Sequence, residues 1–169
     1  NCGNGIRALA FTDIKGIKGF DDGIYFGEYY KNDSLEPINI YRRIDVDKWE
    51  AAYRFPQGTI KHVHNIVADK YRNCVWIMTG DFGNAAAIWK ATDNFKQVDP
   101  VVLGDQKWRG CVGFALPEGL LYATDTPFSD NHIFLLKPDG SVEAITDISG
   151  SCIYGCQWKG KYVFSSTVE

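Results

Sequence analysis

No stretch of this chain approaches the roughly 20 consecutive apolar residues of a membrane-spanning helix, and none repeats with a 3.6-residue period. The first absence excludes a helical span, and the second, with a single Met, speaks against long amphipathic helices. Lys and Arg do not cluster beyond Arg42-Arg43 and the net charge is -3, so a nucleic-acid backbone finds no electrostatic footprint. No Gly-x-Gly-x-x-Gly follows an apolar run and there is no Walker loop, so nothing points to a nucleotide or redox cofactor. The five Cys, at 2, 74, 111, 152 and 156, are an odd count in a chain too large to need stapling. Cys152 and Cys156 lack the second pair that a zinc site takes, and reduced thiols are expected. The first residues, Asn1-Cys2-Gly3-Asn4-Gly5, lack a signal peptide's charged start and apolar centre.

What the chain does have is 45% hydrophobic residues, 14% aromatic, and 17 Gly and 6 Pro scattered between short runs of Val, Ile, Tyr, Phe and Trp. That composition predicts an all-β globular chain with many strands and tight turns. Four apolar runs end in a carboxylate: Gly23-Ile24-Tyr25-Phe26-Gly27-Glu28, Cys74 through Asp81, Leu120 through Asp125, and Lys161 through Glu169. The carboxylates are 53, 44 and 44 residues apart, the spacing of a four-stranded antiparallel unit. The repeat predicts a β-propeller.

Strands are expected at 62–68, 74–79, 86–91 and 95–103, and the order repeats at 109–116, 120–124, 132–137 and 141–148. An earlier unit covers 7–14, 23–29, 38–43 and 49–55, and a later one supplies only 151–158 and 161–169. Turns fall at 69–73, 117–119 and 138–140, each rich in Asp, Asn, Gly or Pro. The chain thus reads as a single partial propeller domain of about three and a half blades (7–55, 61–104, 109–148 and 151–169, the last incomplete). Closing the ring takes the rest of a longer protein or a second copy.

The turn after each third strand carries a repeated pattern: Arg43-Ile44-Asp45-Val46-Asp47-Lys48-Trp49, Ala91-Thr92-Asp93-Asn94-Phe95 and Lys137-Pro138-Asp139-Gly140. These resemble the Asp-box turn, Ser-x-Asp-x-Gly-x-Thr-Trp, of sialidase-like glycoside-hydrolase propellers with BNR repeats. Asp45, Asp93 and Asp139 match its Asp, Trp49 and Phe95 its aromatic, and Gly140 its Gly; none keeps the Ser, and Asp47 replaces the Gly in the first. In that family the Asp caps backbone donors and the aromatic packs between strands, so the resemblance implies a structural role for all three acids.

In a propeller the start of each first strand and the end of each second strand meet on one face, where ligands bind. That rule brings His62, His64, Arg109 and Tyr154 together with Glu28, Asp81, Asp125 and Glu169, and Arg7 is a further candidate. His62-Val63-His64 is the sharpest local signal, because residues i and i+2 of a strand point the same way. Both imidazoles are expected beside Asp81, as ligands of a divalent metal or as acid, base and orienting groups. Asp81 with Glu28 or Asp125 is the candidate carboxylate pair for a glycosidic bond. Arg109, Trp108, Tyr154 and Glu169 are the candidate substrate-binding residues, and the loops 29–33 and 127–131 lie on the same rim.

Three readings stand at this point, with a glycan or other small polar molecule as the expected partner and a protein as the alternative in the second. The first is a carbohydrate-active propeller, of glycoside-hydrolase type, using rim carboxylates and the His pair. The second is a non-catalytic propeller that binds a glycan or protein on that face, and the third is a metal-dependent polysaccharide lyase or hydrolase. Fold alone does not choose among them.

Overall fold

Residues 7–167 are described by the computed structural model; within them the alternating apolar runs form fourteen strands, with two short 3-10 turns and no α-helix. Glu169 and Cys2 lie outside the described residues. The first sheet holds β1 (Thr12–Ile14), β2 (Gly23–Gly27), β3 (Ile38–Asp45) and β4 (Lys48–Phe55) in that order. The second holds β5 (His62–Asp69), β6 (Cys74–Gly80), β7 (Ala87–Thr92) and β8 (Gln97–Leu103). The third holds β9 (Gly110–Leu116), β10 (Gly119–Thr124), β11 (Asn131–Leu136) and β12 (Val142–Ile148), and a hairpin of β13 (Cys152–Trp158) and β14 (Lys161–Ser166) follows.

Every pairing is antiparallel between strands consecutive in sequence. The strands fall close to where the alternation puts them. The largest difference is at the start, where the run expected over 7–14 pairs only as Thr12–Ile14, although the Arg7 carbonyl still accepts the Tyr29 N–H at 2.8 Å. Pro100 sits on β8, the outer strand of its sheet, where a missing N–H removes no bond to a further strand.

The sheets stack face to face, and the period of two assigns each side chain to one interface or the other. All seven residues of β6 are buried. Val75 and Ile77 meet Tyr25, Ile38, Ile40 and Phe55 of the first sheet, whereas Cys74, Trp76 and Met78 meet Leu120, Tyr122 and Leu136 of the third. A smaller cluster, Val112, Ala123 and Cys152 with Phe114 and Phe164, joins the third sheet to the final hairpin. Strand β5 contacts β1 on one side and β9 on the other, and β9 contacts β13. The first strands of successive sheets are therefore neighbours, and among the described residues the sheets do not close into a ring or barrel.

The turns use their polar residues as the sequence expects. Asp45 Oδ1 accepts the Val46 N–H, and Asp139 Oδ1 accepts both the N–H and the hydroxyl of Ser141. Asp93 differs: it adopts a positive φ and pairs with Lys96 at 3.2 Å, while Phe95 is buried edge-on against Phe20. Between the second and third sheets, Arg72 pairs with the fully buried Asp69 at 2.6 Å and donates to the carbonyls of Leu116, Pro117 and Gly119. The four described cysteines are free. Among the described residues no helix is long and apolar enough to cross a membrane.

Candidate metal centre

The start of β5 and the end of β6 place the central residues. His62 lies opposite Gly80, and a bulge between Val63 and Asn65 makes His64 the extra residue of β5. Both imidazoles are buried and turn toward Asp81, just beyond β6. The two Nε2 atoms are 3.1 Å apart, and each lies 3.2 to 3.3 Å from Asp81 Oδ1. The room for His64 comes from Gly80, where a Cβ would stand in hard contact with the imidazole Cε1 and Nε2.

The far side of each ring decides which nitrogen carries hydrogen. His62 Nδ1 lies 3.0 Å from the Tyr30 carbonyl oxygen, and His64 Nδ1 lies 3.1 Å from that of Gly110. A carbonyl only accepts, so the proton of each neutral ring is assigned to Nδ1 and both Nε2 atoms present lone pairs. Burial pushes the His64 pKa down against the pull of Asp81, which favours the neutral imidazole. Burial works to raise the Asp81 pKa, but the positive charge beside it, with Arg109 Nη2 at 3.4 Å, outweighs it and holds the carboxyl well below the usual carboxylate range. With both rings in that tautomer, two imidazole lone pairs and the Asp81 carboxylate oxygen converge, with Arg109 Nη2 3.4 Å from that oxygen.

In that tautomer the two imidazole nitrogens and the oxygen repel one another, and a cation held between the three would relieve it. Zinc–nitrogen and zinc–oxygen bonds of about 2.0–2.2 Å imply ligand atoms about 3.3 Å apart in a tetrahedron. The observed edges of 3.1, 3.2 and 3.3 Å match that face. The outer N–H of each imidazole is held by a backbone carbonyl, the usual support of a metal-ligating His. His62, His64 and Asp81 are thus able to hold a divalent ion through three ligand atoms.

Cations flank Asp81. Lys61 Nζ lies 3.4 Å from its Oδ2, and Arg109 Nη2 lies 3.4 Å from Oδ1 and 3.3 Å from Asp125 Oδ2. The Arg109 guanidinium also sits 5.1 Å from the Phe82 ring centroid, and its Nε and Nη1 are buried without an acceptor among the described residues. Asp125 accepts the Cys111 thiol at 3.4 Å, and burial, with the charge of Asp125 added, raises that thiol's pKa well above its ordinary value.

A hollow of about 570 Å³ opens beside the triangle, lined by Arg7, Tyr29, Tyr30, Lys31 and Lys61 with His62 and Asp81 at its edge. The Tyr29 ring lies 4.4 Å from the His62 ring, centroid to centroid. A second hollow of about 420 Å³ shares Lys61 and Asp81 with the first and includes Asp33 and Phe82.

The other residues expected here are placed elsewhere or only at the margin. Glu28 is buried but turns toward β3, where its Oε2 accepts the backbone N–H of Asn39 at 2.6 Å and its amide at 2.9 Å. Trp108 packs on the core between the second and third sheets, beneath Lys107 Nζ at 4.5 Å. Tyr154 stands 66% exposed on β13, and Glu169 lies outside the described residues. Asp125 reaches the centre only through Arg109. Lys61 and Tyr29 line the hollow without having been singled out by the strand logic. Lys61 has the opposite parity to His62, and Tyr29 lies beyond the end of β2, so only adjacency to the His pair and membership of the rim loop marked them.

No protein-family model matches this chain, and no curated protein or solved structure matches it. Function is read from the side chains themselves.

Proposed function

We propose that the chain is part of a β-propeller carrying a divalent metal on one face, and that it acts as a metal-dependent hydrolase or lyase on a carbohydrate. The observation that carries the metal is the convergence of His62 Nε2, His64 Nε2 and Asp81 Oδ1 as three lone-pair donors with edges of 3.1 to 3.3 Å. Neighbouring first strands β1, β5, β9 and β13 and the stacking of successive meander sheets support the propeller. The carbohydrate rests on the resemblance of the turns at Asp45, Asp93 and Asp139 to the Asp-box.

A divalent ion in this place supplies a Lewis acid and lowers the pKa of a bound water toward neutrality. The protein's part would be to hold both imidazoles in the tautomer that leaves Nε2 free, to keep Asp81 ionised, and to place the ion beside the hollow that His62 and Asp81 line. Lys61 and Arg109 balance the Asp81 charge. The reading based on a carboxylate pair receives less support, because an ion-paired Asp81 is not a proton donor and Glu28 is engaged with Asn39.

Elemental analysis of the purified chain after loading with Zn²⁺ or Mn²⁺ tests the proposal. One bound ion per chain, lost in His64→Ala and in Asp81→Asn, is the expected result. A chain that retains no metal, or retains it equally in both variants, overturns it.

A further inference from the structure

We infer that the 570 Å³ hollow beside the metal centre receives an anionic residue of the substrate, an acidic sugar rather than a neutral one. The inference rests on the metal-centre reading and adds to it the class of molecule that the centre faces.

The walls of the hollow carry three cationic side chains, Arg7, Lys31 and Lys61. The single carboxylate among them is Asp81, one oxygen of which faces the imidazole pair. Asp33 pairs with Lys31 and Lys61 at 3.1 and 3.5 Å, and Lys61 also pairs with Asp81 at 3.4 Å, so the two carboxylates offset two of the three positive charges. With Arg7, Lys31 and Lys61 against Asp33 and Asp81 the region carries a net positive charge, and a divalent ion would add two more. This excess occurs in a chain whose net charge is -3, so it is local and does not follow from a basic surface. A hollow whose lining carries an excess of one sign concentrates ligands of the other and does nothing for neutral ones.

The remaining surface suits a sugar ring. Tyr29 lies against His62, half-buried, and shares the hollow with Tyr30. Aromatic rings and cations in one hollow fit a molecule with an apolar face and a charged substituent. The volume lies within the range of small-molecule sites. A carboxylate and a sulfate ester would both satisfy the cations, and the test separates them.

The chain is loaded with Zn²⁺ or Mn²⁺, its metal content is measured, and binding of glucuronate, glucose 6-sulfate and glucose is followed by ligand-observed NMR at low salt. Glucuronate is expected to bind about 10-fold or more tightly than glucose, with the difference shrinking as salt rises. Lys31→Ala and Arg7→Ala, both away from the metal ligands, are expected to weaken glucuronate binding several-fold and to leave metal content unchanged. Equal binding of the sulfate ester assigns recognition to charge alone, and its exclusion assigns recognition to the carboxylate; either upholds an anionic substrate. A metal-loaded chain that binds glucose as well as both anions overturns this inference and leaves the metal centre standing. A chain that takes up no metal overturns the metal reading, which the elemental analysis shows separately.

Discussion

Gly80 and His64 occupy complementary space: the position a Cβ would take at Gly80 is filled by the Cε1–Nε2 edge of the buried His64 imidazole. The missing side chain on β6 is therefore what lets a bulged residue of β5 swing its ring over Asp81. Gly80→Ala is expected to push the ring away, at a cost of about 1–3 kcal/mol in stability from overpacking. Metal affinity should fall about 10-fold or more, as it does when a ligand loses its support. Competition with a chromophoric chelator measures the affinity, and an unchanged value would separate His64 from the metal.

Two carboxylates at equivalent ends of apolar runs should behave differently. Asp81→Asn removes the ionised oxygen 3.2 Å from His62 and is expected to abolish metal retention. Glu28→Gln keeps an oxygen able to accept the Asn39 N–H, so metal content and any turnover should stay at the wild-type level. Loss of turnover in Glu28→Gln, with metal retained, would return the carboxylate pair to consideration.

Arg72 ties the second sheet to the third through Asp69 and three carbonyls. Truncation to Ala leaves Asp69 charged and fully buried, still facing Trp76 Nε1 at 2.8 Å but without its cation. The expected loss is about 3–5 kcal/mol, the usual result of removing one member of a buried pair. Urea unfolding followed by Trp fluorescence gives the value; a loss below about 1 kcal/mol would mean that the pair contributes no more than a surface one.

The cysteines provide a pH test. Burial pushes the Cys74 thiol up to about 11, and burial also raises Cys111 and Cys152, whereas Cys156 is exposed. In a Cys2→Ser background at pH 8.5, iodoacetamide should modify Cys156 alone until the chain is unfolded. Stability should also be flat in pH below 9 on account of Cys74 and then fall. Between 9 and 11 the unfolded thiol releases its proton while the folded one keeps it, a loss of up to about 2–3 kcal/mol that Cys74→Ala removes. Denaturant midpoints across that range check the slope.

Much of the fold could be read from the chain because two-residue alternation and turn chemistry act locally. The runs that gave β5, β6, β9 and β10 were legible from Val, Ile, Leu, Tyr and Trp between Asp-, Pro- and Gly-containing turns. The convergence of His62, His64 and Asp81 was legible too, although strand parity alone does not contain the bulge that sets His64 in place. What the chain did not disclose is the direction of side chains beyond strand ends. Glu28 and Asp81 hold equivalent places in the repeat, yet one finds Asn39 on the adjoining strand and the other finds two imidazoles. Trp108 is next to Arg109 in sequence but enters the core, because Tyr122, Leu120 and Met78 offer it apolar surface there. Such choices depend on contacts between sheets, which no local pattern encodes.

Strand β6 belongs to two cores, with Val75 and Ile77 in one and Cys74, Trp76 and Met78 in the other. Loosening either interface bares one face of the same strand, so a disturbance at one interface is felt at the other. The first three sheets should melt as a single cooperative body, unlike a solenoid that unravels repeat by repeat from its end. His62, His64 and Asp81 hang from β5 and from the end of β6, so the proposed centre persists for as long as that whole body stays folded.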